Sequence, residues 1–249
     1  MSIIYGLLWF FVLIPFIYAS DTLTVSDEEN ISYGIETDFT SQYIWRGLSY
    51  NKGFIFQPLP WISFSNITLS IWGNFPVIEK KSAEGSEIDF TAAYLYEFED
   101  LSFEPSINYY TYPGQDEAPP TAEGNLKATY KIFESELYVN FTLDFLEYPG
   151  SITSDFGITH QFDVSDKLNF YIDLNTGLGN RKFNQTYINP ESAEGSLNYI
   201  SISFSSNYYL NEMIYIKPHF ENFRITSEIL KEVSGNSLWN FGIAIGAEI

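Results

Sequence analysis

The sequence predicts an all-β fold, a transmembrane antiparallel up-and-down β-barrel of about 12 strands with short periplasmic turns and longer outer loops. Three observations predict it. Apolar and polar side chains alternate through most of the chain, the links between these segments are short and long in turn, and aromatic residues make up 18% of the sequence. A period of two gives a strand one apolar face and one polar face. Abundant aromatic rings suit the water–lipid boundaries of a membrane barrel. A secreted β-sandwich is the alternative that composition alone leaves open.

The first alternating segment, residues 31–46, shows the pattern most fully. One face carries the set Ile31, Tyr33, Ile35, Thr37, Phe39, Ser41, Tyr43 and Trp45. The other face carries charge at Glu36, Asp38 and Arg46. Placing such charge on the buried face of a sandwich costs much free energy, whereas placing it on the wall of a water-filled pore costs little. The apolar set is therefore predicted to face lipid.

Eleven further segments alternate in the same way. They are 54–64, 67–76, 87–98, 101–109, 126–132, 137–145, 156–162, 168–174, 200–204, 214–220 and 239–249. The total of twelve is even, as single-chain barrels require. In the 54–64 segment, Pro58 and Pro60 lack the N–H that a closed ladder uses, which predicts a bulge or a late start there.

The links between the segments alternate in length. Short links are predicted at Ser65–Asn66, Glu99–Asp100, Glu134–Ser135 and Ser165–Asp166, with a somewhat longer one at 205–212. Long links are predicted at 77–86, 113–124, 147–153, 179–195 and 224–236. Outer-membrane barrels have short periplasmic turns and longer external loops, and a sandwich has no reason to alternate its links so regularly. Both ends of the barrel domain are therefore predicted to be periplasmic.

The domain organisation follows from the charge distribution. Residues 1–20 contain no charged side chain and end in Ala19 and Ser20, which predicts a secretory signal peptide cleaved near these two residues. An uncleaved anchor helix is the alternative, since the apolar run is nearly long enough to span a bilayer. Residues 21–30 form a short acidic periplasmic segment, and residues 31–249 form the barrel. The predicted location is the bacterial outer membrane.

Composition also excludes several partners and linkages. The chain has no cysteine, so ladders and packing alone must hold an exported domain together. The formal net charge of −20 argues against nucleic acid and anionic lipid surfaces as partners.

The segment Thr37–Gly53 (TDFTSQYIWRGLSYNKG) carries a family resemblance in Tyr43, Arg46, Gly47 and Ser49. With Gln57-Pro58 and the later sequence IWGN at 71–74, it resembles the N-terminal signature of the TorF-type porins over residues 37–75. The resemblance implies a channel-like protein of the outer membrane, with membrane lipid and small polar solutes as its partners. It supplies no substrate and no catalytic residue. The closing sequence GIAIGAEI departs from the aromatic ending usual in outer-membrane barrels.

If the apolar sets face lipid, the opposite faces line the interior. The predicted pore-lining residues are Glu36, Asp38, Gln42, Arg46, Glu87, Asp89, Glu104, Asn108, Lys127, Lys131, Asn140, Asp144, Asp155, Gln161, Asp173, Asn175, Lys217, His219 and Glu221. Carboxylates outnumber bases, so an open lumen would prefer cations. In the alternative, these groups pair into a plug that fills a narrow, closed barrel serving as a structural protein of the envelope.

Three of these residues have two interpretations each. Arg46 is either a constriction cation opposite carboxylates or a tie between the first loop and Glu36 or Asp38. Lys127 and Lys131 share one face of a strand. They form either a basic ladder opposite an acidic wall or local partners of Glu87, Asp89 and Asp144.

Catalysis has little support in the sequence. His160 alternates with apolar residues and is predicted to lie at the membrane interface, whereas His219 is predicted to face the interior. An outer-membrane hydrolase using His219 is an alternative, although no G-x-S-x-G serine motif accompanies either histidine. No cofactor is expected, and no cysteine or histidine cluster suggests a metal site.

Overall fold

A computed structural model of the protein describes residues 5–6, 17–18, 31–77, 85–116 and 118–249. The two-residue strands Tyr5–Gly6 and Ile17–Tyr18 pair with each other. The rest of the predicted signal peptide and the acidic segment 21–30 lie outside the described residues.

The described residues from 31 to 249 form one closed barrel of twelve antiparallel strands. The strands are β1 Ile31–Trp45, β2 Leu48–Phe64, β3 Ile67–Pro76, β4 in two parts Glu87–Tyr94 and Tyr96–Phe98, β5 Leu101–Thr111, β6 Thr121–Ile132, β7 Ser135–Asp144, β8 Ile152–Ser165, β9 Leu168–Gly179, β10 Ser196–Tyr209, β11 Ile214–Ile225 and β12 Ser237–Glu248. Each strand pairs with the next in sequence, and β12 pairs with β1 to close the sheet. The predicted fold class and strand number are confirmed.

The two ends of the barrel differ in their connections. At one end, here called the turn end, two-residue turns join the strands at 65–66, 99–100, 133–134 and 166–167, with a four-residue link at 210–213. At the other end, called the loop end, longer links follow β3, β5, β7, β9 and β11. Both chain ends of the barrel lie at the turn end, as the alternation of link lengths predicted.

The apolar sets form the outer surface of the barrel. On β7, Leu137, Val139 and Phe141 are 43%, 36% and 44% exposed, whereas Glu36 and Asp38 on β1 are 3% and 6% exposed. An apolar outside with charged groups within is the reverse of a soluble sandwich. The prediction that the alternation belongs to a closed cylinder is confirmed.

The loop end of the β1–β2 hairpin departs from this regularity. The ladder from β1 to β12 stops at Thr40–Gly242, and the ladder from β2 to β3 stops at Ile55–Pro76. Register shifts at Thr40/Gln42 and Tyr43/Ile44 interrupt the alternation, because a bulge bends a strand and changes which face a side chain reaches. Residues 42–53, here called the β1–β2 tip, thereby leave the barrel wall.

Several predictions at this tip are wrong. Trp45 was predicted to face lipid but is only 9% exposed and packs inside the barrel, and Tyr43 lines an internal cavity. The first outer link was predicted to be a loop, yet it is a tight turn at Arg46–Gly47 with both residues in the left-handed region. Strand β2 begins at Leu48, so the predicted late start is wrong, whereas the alternative, a bulge, occurs on β2 between Lys52 and Ile55, before the two prolines.

Two short helices lie in the loop-end links. Helix α1, Arg181–Tyr187, begins after Asn180, whose side chain accepts a hydrogen bond from the Phe183 amide. Helix α2, Glu228–Ser234, ends at Gly235, which has a left-handed φ. Neither helix, among the described residues, has the length and apolar composition needed to cross a membrane.

Candidate channel lumen and loop-end cavity

Most of the predicted pore-lining side chains are buried. Fifteen are less than 10% exposed: Glu36, Asp38, Arg46, Glu87, Asp89, Glu104, Asn108, Lys127, Asp144, Asp155, Asp173, Asn175, Lys217, His219 and Glu221. Gln42, Lys131, Asn140 and Gln161 are half-buried. Gln42 lies at a bulge, where it donates to the Trp239 carbonyl and accepts from the Ser49 hydroxyl.

Tyrosine side chains hold the interior carboxylates through a repeated three-strand arrangement. Tyr215 on β11 lies opposite Gly246 on β12, which lies opposite Glu36 on β1, and the phenol donates to the Glu36 carboxylate at 2.6 Å. A Cβ at Gly246 would lie 2.1 Å from the Tyr215 ring, so only glycine lets the ring cross the intervening strand. A tyrosine opposite an interior glycine therefore reaches the strand beyond it.

The same arrangement recurs elsewhere in the barrel. Tyr199 lies opposite Gly177 and donates to Asp155 at 2.7 Å. Tyr138 lies opposite Gly157, accepts from the Asn175 amide at 2.6 Å and hydrogen-bonds Asp173 at 3.1 Å. These bonds fix polar groups against the wall, because a bonded carboxylate is less free to swing into the lumen.

The seam that closes the barrel has small interior residues on β12. Across them, Lys217 pairs with Glu36 at 2.6 Å, and His219 lies 2.9 Å from Asp38. Ser205 lies directly opposite His219 in the ladder between β10 and β11. Side chains of β11 thus connect to carboxylates of β1 across the last strand.

The two interior lysines of β6 do not face the carboxylates that the sequence suggested. Lys127 lies opposite Glu104 of β5, and its ammonium is 5.0 Å from the Tyr138 ring centre. Lys131 lies opposite Glu136 of β7. Glu87 and Asp89 are on β4, which is not a neighbour of β6, so the predicted local pairing with them is wrong.

At the loop end, one ion pair crosses the barrel. Arg46 in the β1–β2 tip binds both oxygens of Glu123 on β6, at 2.8 and 2.7 Å. Tyr110 also donates to Glu123 at 2.7 Å, and the guanidinium lies 4.2 Å from the Trp45 ring centre. The predicted tie from Arg46 to Glu36 or Asp38 is wrong, because the tip bends across the interior and meets β6.

An apolar cluster fills the space beside this ion pair. It comprises Trp45, Leu48, Phe183, Tyr199, Phe223, Ile225, Leu230 and Leu238. Phe183 of α1 and Leu230 of α2 are fully buried, so both helices fold inward over the loop end. Gly47, with φ of 81°, lies against Leu230 and Tyr199, where a side chain would be both strained and crowded. The cluster narrows the loop end of the lumen.

A cavity of about 410 Å³ lies beside the tip at the loop end. Its aromatic lining consists of Tyr43, Trp45, Tyr50, Tyr112, Tyr148 and Tyr187. Burial, and next the charge of Glu123, raises the pKa of the Tyr187 phenol well above its usual value, so this group stays neutral and retains its proton at neutral pH. Within the described residues, no group of three or more His, Cys, Asp or Glu side chains is arranged to hold a metal ion.

Sequence reasoning missed Glu123, Trp45 and the interior tyrosines. Glu123 was placed in a long link, but β6 begins at Thr121 and makes Glu123 an interior strand residue. The tyrosines had a readable signal, since Gly157, Gly177 and Gly246 each occupy an interior position opposite one of them. Nothing local in the sequence indicates that the β1–β2 tip leaves the wall.

Solved structures with a similar fold are outer-membrane barrels. The NanC porin has a TM-score of 0.54 at 7% identity, over 86% of this chain and 97% of that one. The KdgM porin has a TM-score of 0.53 at 11% identity, over 87% and 98%. An outer-membrane channel from Pseudomonas putida F1 has a TM-score of 0.52 at 10% identity, over 92% and 100%. No family model and no curated protein matches the sequence. At these identities the likeness shows the barrel fold alone.

Proposed function

We propose that this protein is a porin-like channel of the bacterial outer membrane, through which small polar solutes, preferentially cations, diffuse passively. The main observation in support is the polarity of the barrel, which is the reverse of that of a soluble protein. Its exposed outer surface is apolar, and its interior is lined with ionisable groups. The resemblance of residues 37–75 to TorF-type porins and the fold of the three solved barrels support the same function. Residues 1–20 serve in this proposal as the export signal.

The charge of the interior supports cation preference. Among the buried side chains of the described residues, ten are carboxylates and three are Lys or Arg. A lumen with excess negative charge raises the local concentration of cations and repels anions.

The β1–β2 tip limits conduction at the loop end in this proposal. Arg46 and Glu123 neutralise each other across the lumen, and the apolar cluster excludes water beside them. The cavity lined by Tyr50 and Tyr148 provides space for a small solute at this end. A small unit conductance is therefore expected.

Planar-bilayer recording under a potassium chloride gradient tests the proposal. We expect discrete conductance steps and a reversal potential of the sign that cation preference gives. Asp173→Asn, which removes an interior carboxylate, should move this potential towards zero, whereas Asp166→Asn, in an exposed turn at the turn end, should leave it unchanged. Purified protein that inserts but never conducts would refute the channel and favour the closed structural barrel.

A hydrolase is the second candidate, and one observation favours it. His219 lies 2.9 Å from Asp38 and opposite Ser205 in the ladder, so the three residue types of a serine hydrolase occur together. This function predicts ester turnover that His219→Ala abolishes and His160→Ala preserves. Absence of turnover with short-chain ester substrates eliminates it.

A further inference from the structure

The aromatic rings around the loop-end cavity form a continuous arc. Ring centres are 5.9 Å apart for Tyr43 and Tyr50, 6.0 Å for Trp45 and Tyr50, 5.1 Å for Trp45 and Tyr187, and 5.3 Å for Tyr148 and Tyr187. The β1–β2 tip supplies three of these rings, while the β7–β8 link and α1 supply the other two. Residues distant in sequence thus form one concave aromatic wall.

Among the described residues that line the cavity, Glu87 is the acidic one. It lines the cavity together with the rings of Tyr43 and Tyr112. No Lys or Arg occurs among the described residues that line the cavity. The Arg46 guanidinium lies 4.2 Å from the Trp45 ring centre, and its charge is matched by both oxygens of Glu123. A cation entering the cavity therefore meets ring faces and one carboxylate without a competing positive charge from these residues.

The polar groups at and beneath the cavity also favour a cation. Asn51 and Gln115 each donate from the amide nitrogen to a backbone carbonyl, of Gly85 and Ser86 respectively. Asp89 follows Glu87 on the same face of β4, is 2% exposed, and its Oδ1 has no hydrogen-bond partner among the described residues. Asn108 on the neighbouring strand is 4% exposed, and its Oδ1 also lacks a partner there. Buried acceptors without donors are costly, and a cationic or N–H-bearing ligand would satisfy them.

We propose that this cavity is a binding site for a small organic ammonium ion. Ring faces attract a desolvated ammonium group through their quadrupoles, and aromatic cages are the usual recognition device for quaternary ammonium. Glu87 supplies the charge partner, and the unpartnered oxygens of Asp89 and Asn108 provide the next positions inward. The assignment deepens the proposed channel function and rests on it only for the onward passage of the ligand.

A neutral polar ligand such as a sugar is the competing occupant. It would stack on the same rings but would gain nothing from the negative charge of Glu87. The ammonium and the neutral ligand therefore differ in how much they gain from charge. Two ligands of the same shape, one charged and one neutral, test which kind the cavity binds.

Isothermal titration calorimetry of the detergent-folded full barrel provides the test. Choline chloride is the probe, and 3,3-dimethylbutan-1-ol, in which carbon replaces the ammonium nitrogen, is its neutral isostere. We expect choline to bind at least about tenfold more tightly than the isostere, since a desolvated cation–π site contributes on the order of a tenfold or greater gain. Equal binding of the two, binding of glucose but not choline, or no binding at all would overturn the assignment.

Variants assign the binding to the cavity. Glu87→Gln should weaken choline binding about tenfold, and Tyr50→Leu about threefold or more. Tyr96→Leu is the matched control, because Tyr50 and Tyr96 are both 51% exposed but Tyr96 lies at the turn end. Unchanged affinity in both cavity variants, with heat-modifiable migration confirming a folded barrel, would overturn the site. Bilayer recordings of the same protein keep the two proposals apart, since choline binding without conductance supports the site and refutes only the channel.

Discussion

The turn end and the loop end of this barrel are built on different principles. At the turn end, interior polar side chains stay on the wall and are held by neighbouring strands, as Glu36 is by Tyr215 and Lys217. At the loop end, the β1–β2 tip and two helices enter the lumen, and Arg46 meets Glu123 across it. The strict alternation of residues builds the wall, whereas contacts between segments distant in sequence determine how far the lumen is filled.

The largest effect is expected from breaking the ion pair that crosses the loop end. Arg46→Ala leaves Glu123, 1% exposed, without its cation, and removing one partner of a buried pair typically costs about 3–5 kcal/mol. Urea unfolding of the barrel in lipid vesicles measures this loss. The double replacement Arg46→Met with Glu123→Met should recover most of it, because no buried charge is then left alone. Unfolding of Arg46→Ala at the wild-type urea concentration would contradict the importance given to this contact.

A smaller effect is expected at the turn end, where a tyrosine crosses a glycine. Gly246→Ala places a methyl group 2.1 Å from the Tyr215 ring, and such overpacking costs about 1–3 kcal/mol. Gly124→Ala is the control, since its Cβ would be 3.9 Å from the nearest atom, on Phe145. The same unfolding experiment should find this second variant at least as stable as the wild type. Equal stability of the two variants would contradict the claim that the tyrosine needs a glycine on the strand it crosses.

The smallest effect is expected from an ion pair outside the lumen. Lys231 and Glu228 on α2 form a pair three residues apart, with side chains 26% and 86% exposed. Exposed pairs of this kind contribute about 0.5 kcal/mol or less. The urea concentration at which Lys231→Ala unfolds should therefore equal that of the wild type within experimental error. If Lys231→Ala lost as much unfolding free energy as Arg46→Ala, burial would not be what determines the contribution of an ion pair.

The sequence predicted the wall well and the loop end poorly, for one physical reason. Alternation in β7 or β12 is a local property, so the strand number, the faces and most interior residues could be read from it. Extra residues on β2 shift its register with β1 at Thr40/Gln42 and Tyr43/Ile44, and beside these shifts Tyr43 and Trp45 turn inward, which the alternation within β1 does not predict. The partner of Arg46 depended on this bend, so Glu123 could not be identified from the sequence.

The helices in the two long links were also missed, although each carries a local signal. Asn180 is a good N-cap, with Phe183 and Tyr187 following at helical spacing, and Gly235 is a typical end after α2. Each helix has only seven residues, too few for a periodic pattern to outweigh the general expectation of a loop. Their burial depends on the cavity that the rest of the barrel provides.

Cysteine labelling along β7 shows which face of the barrel meets lipid and which meets water, because the chain contains no cysteine of its own. Val139→Cys, Asn140→Cys and Phe141→Cys are placed one at a time in vesicle-reconstituted protein and exposed to a small water-soluble thiol reagent. We expect rapid labelling at 140 and protection at 139 and 141, and we expect a lipid-soluble reagent to reverse this order. Labelling of 139 and 141 by the water-soluble reagent as fast as 140 would contradict a barrel with lipid outside and water inside.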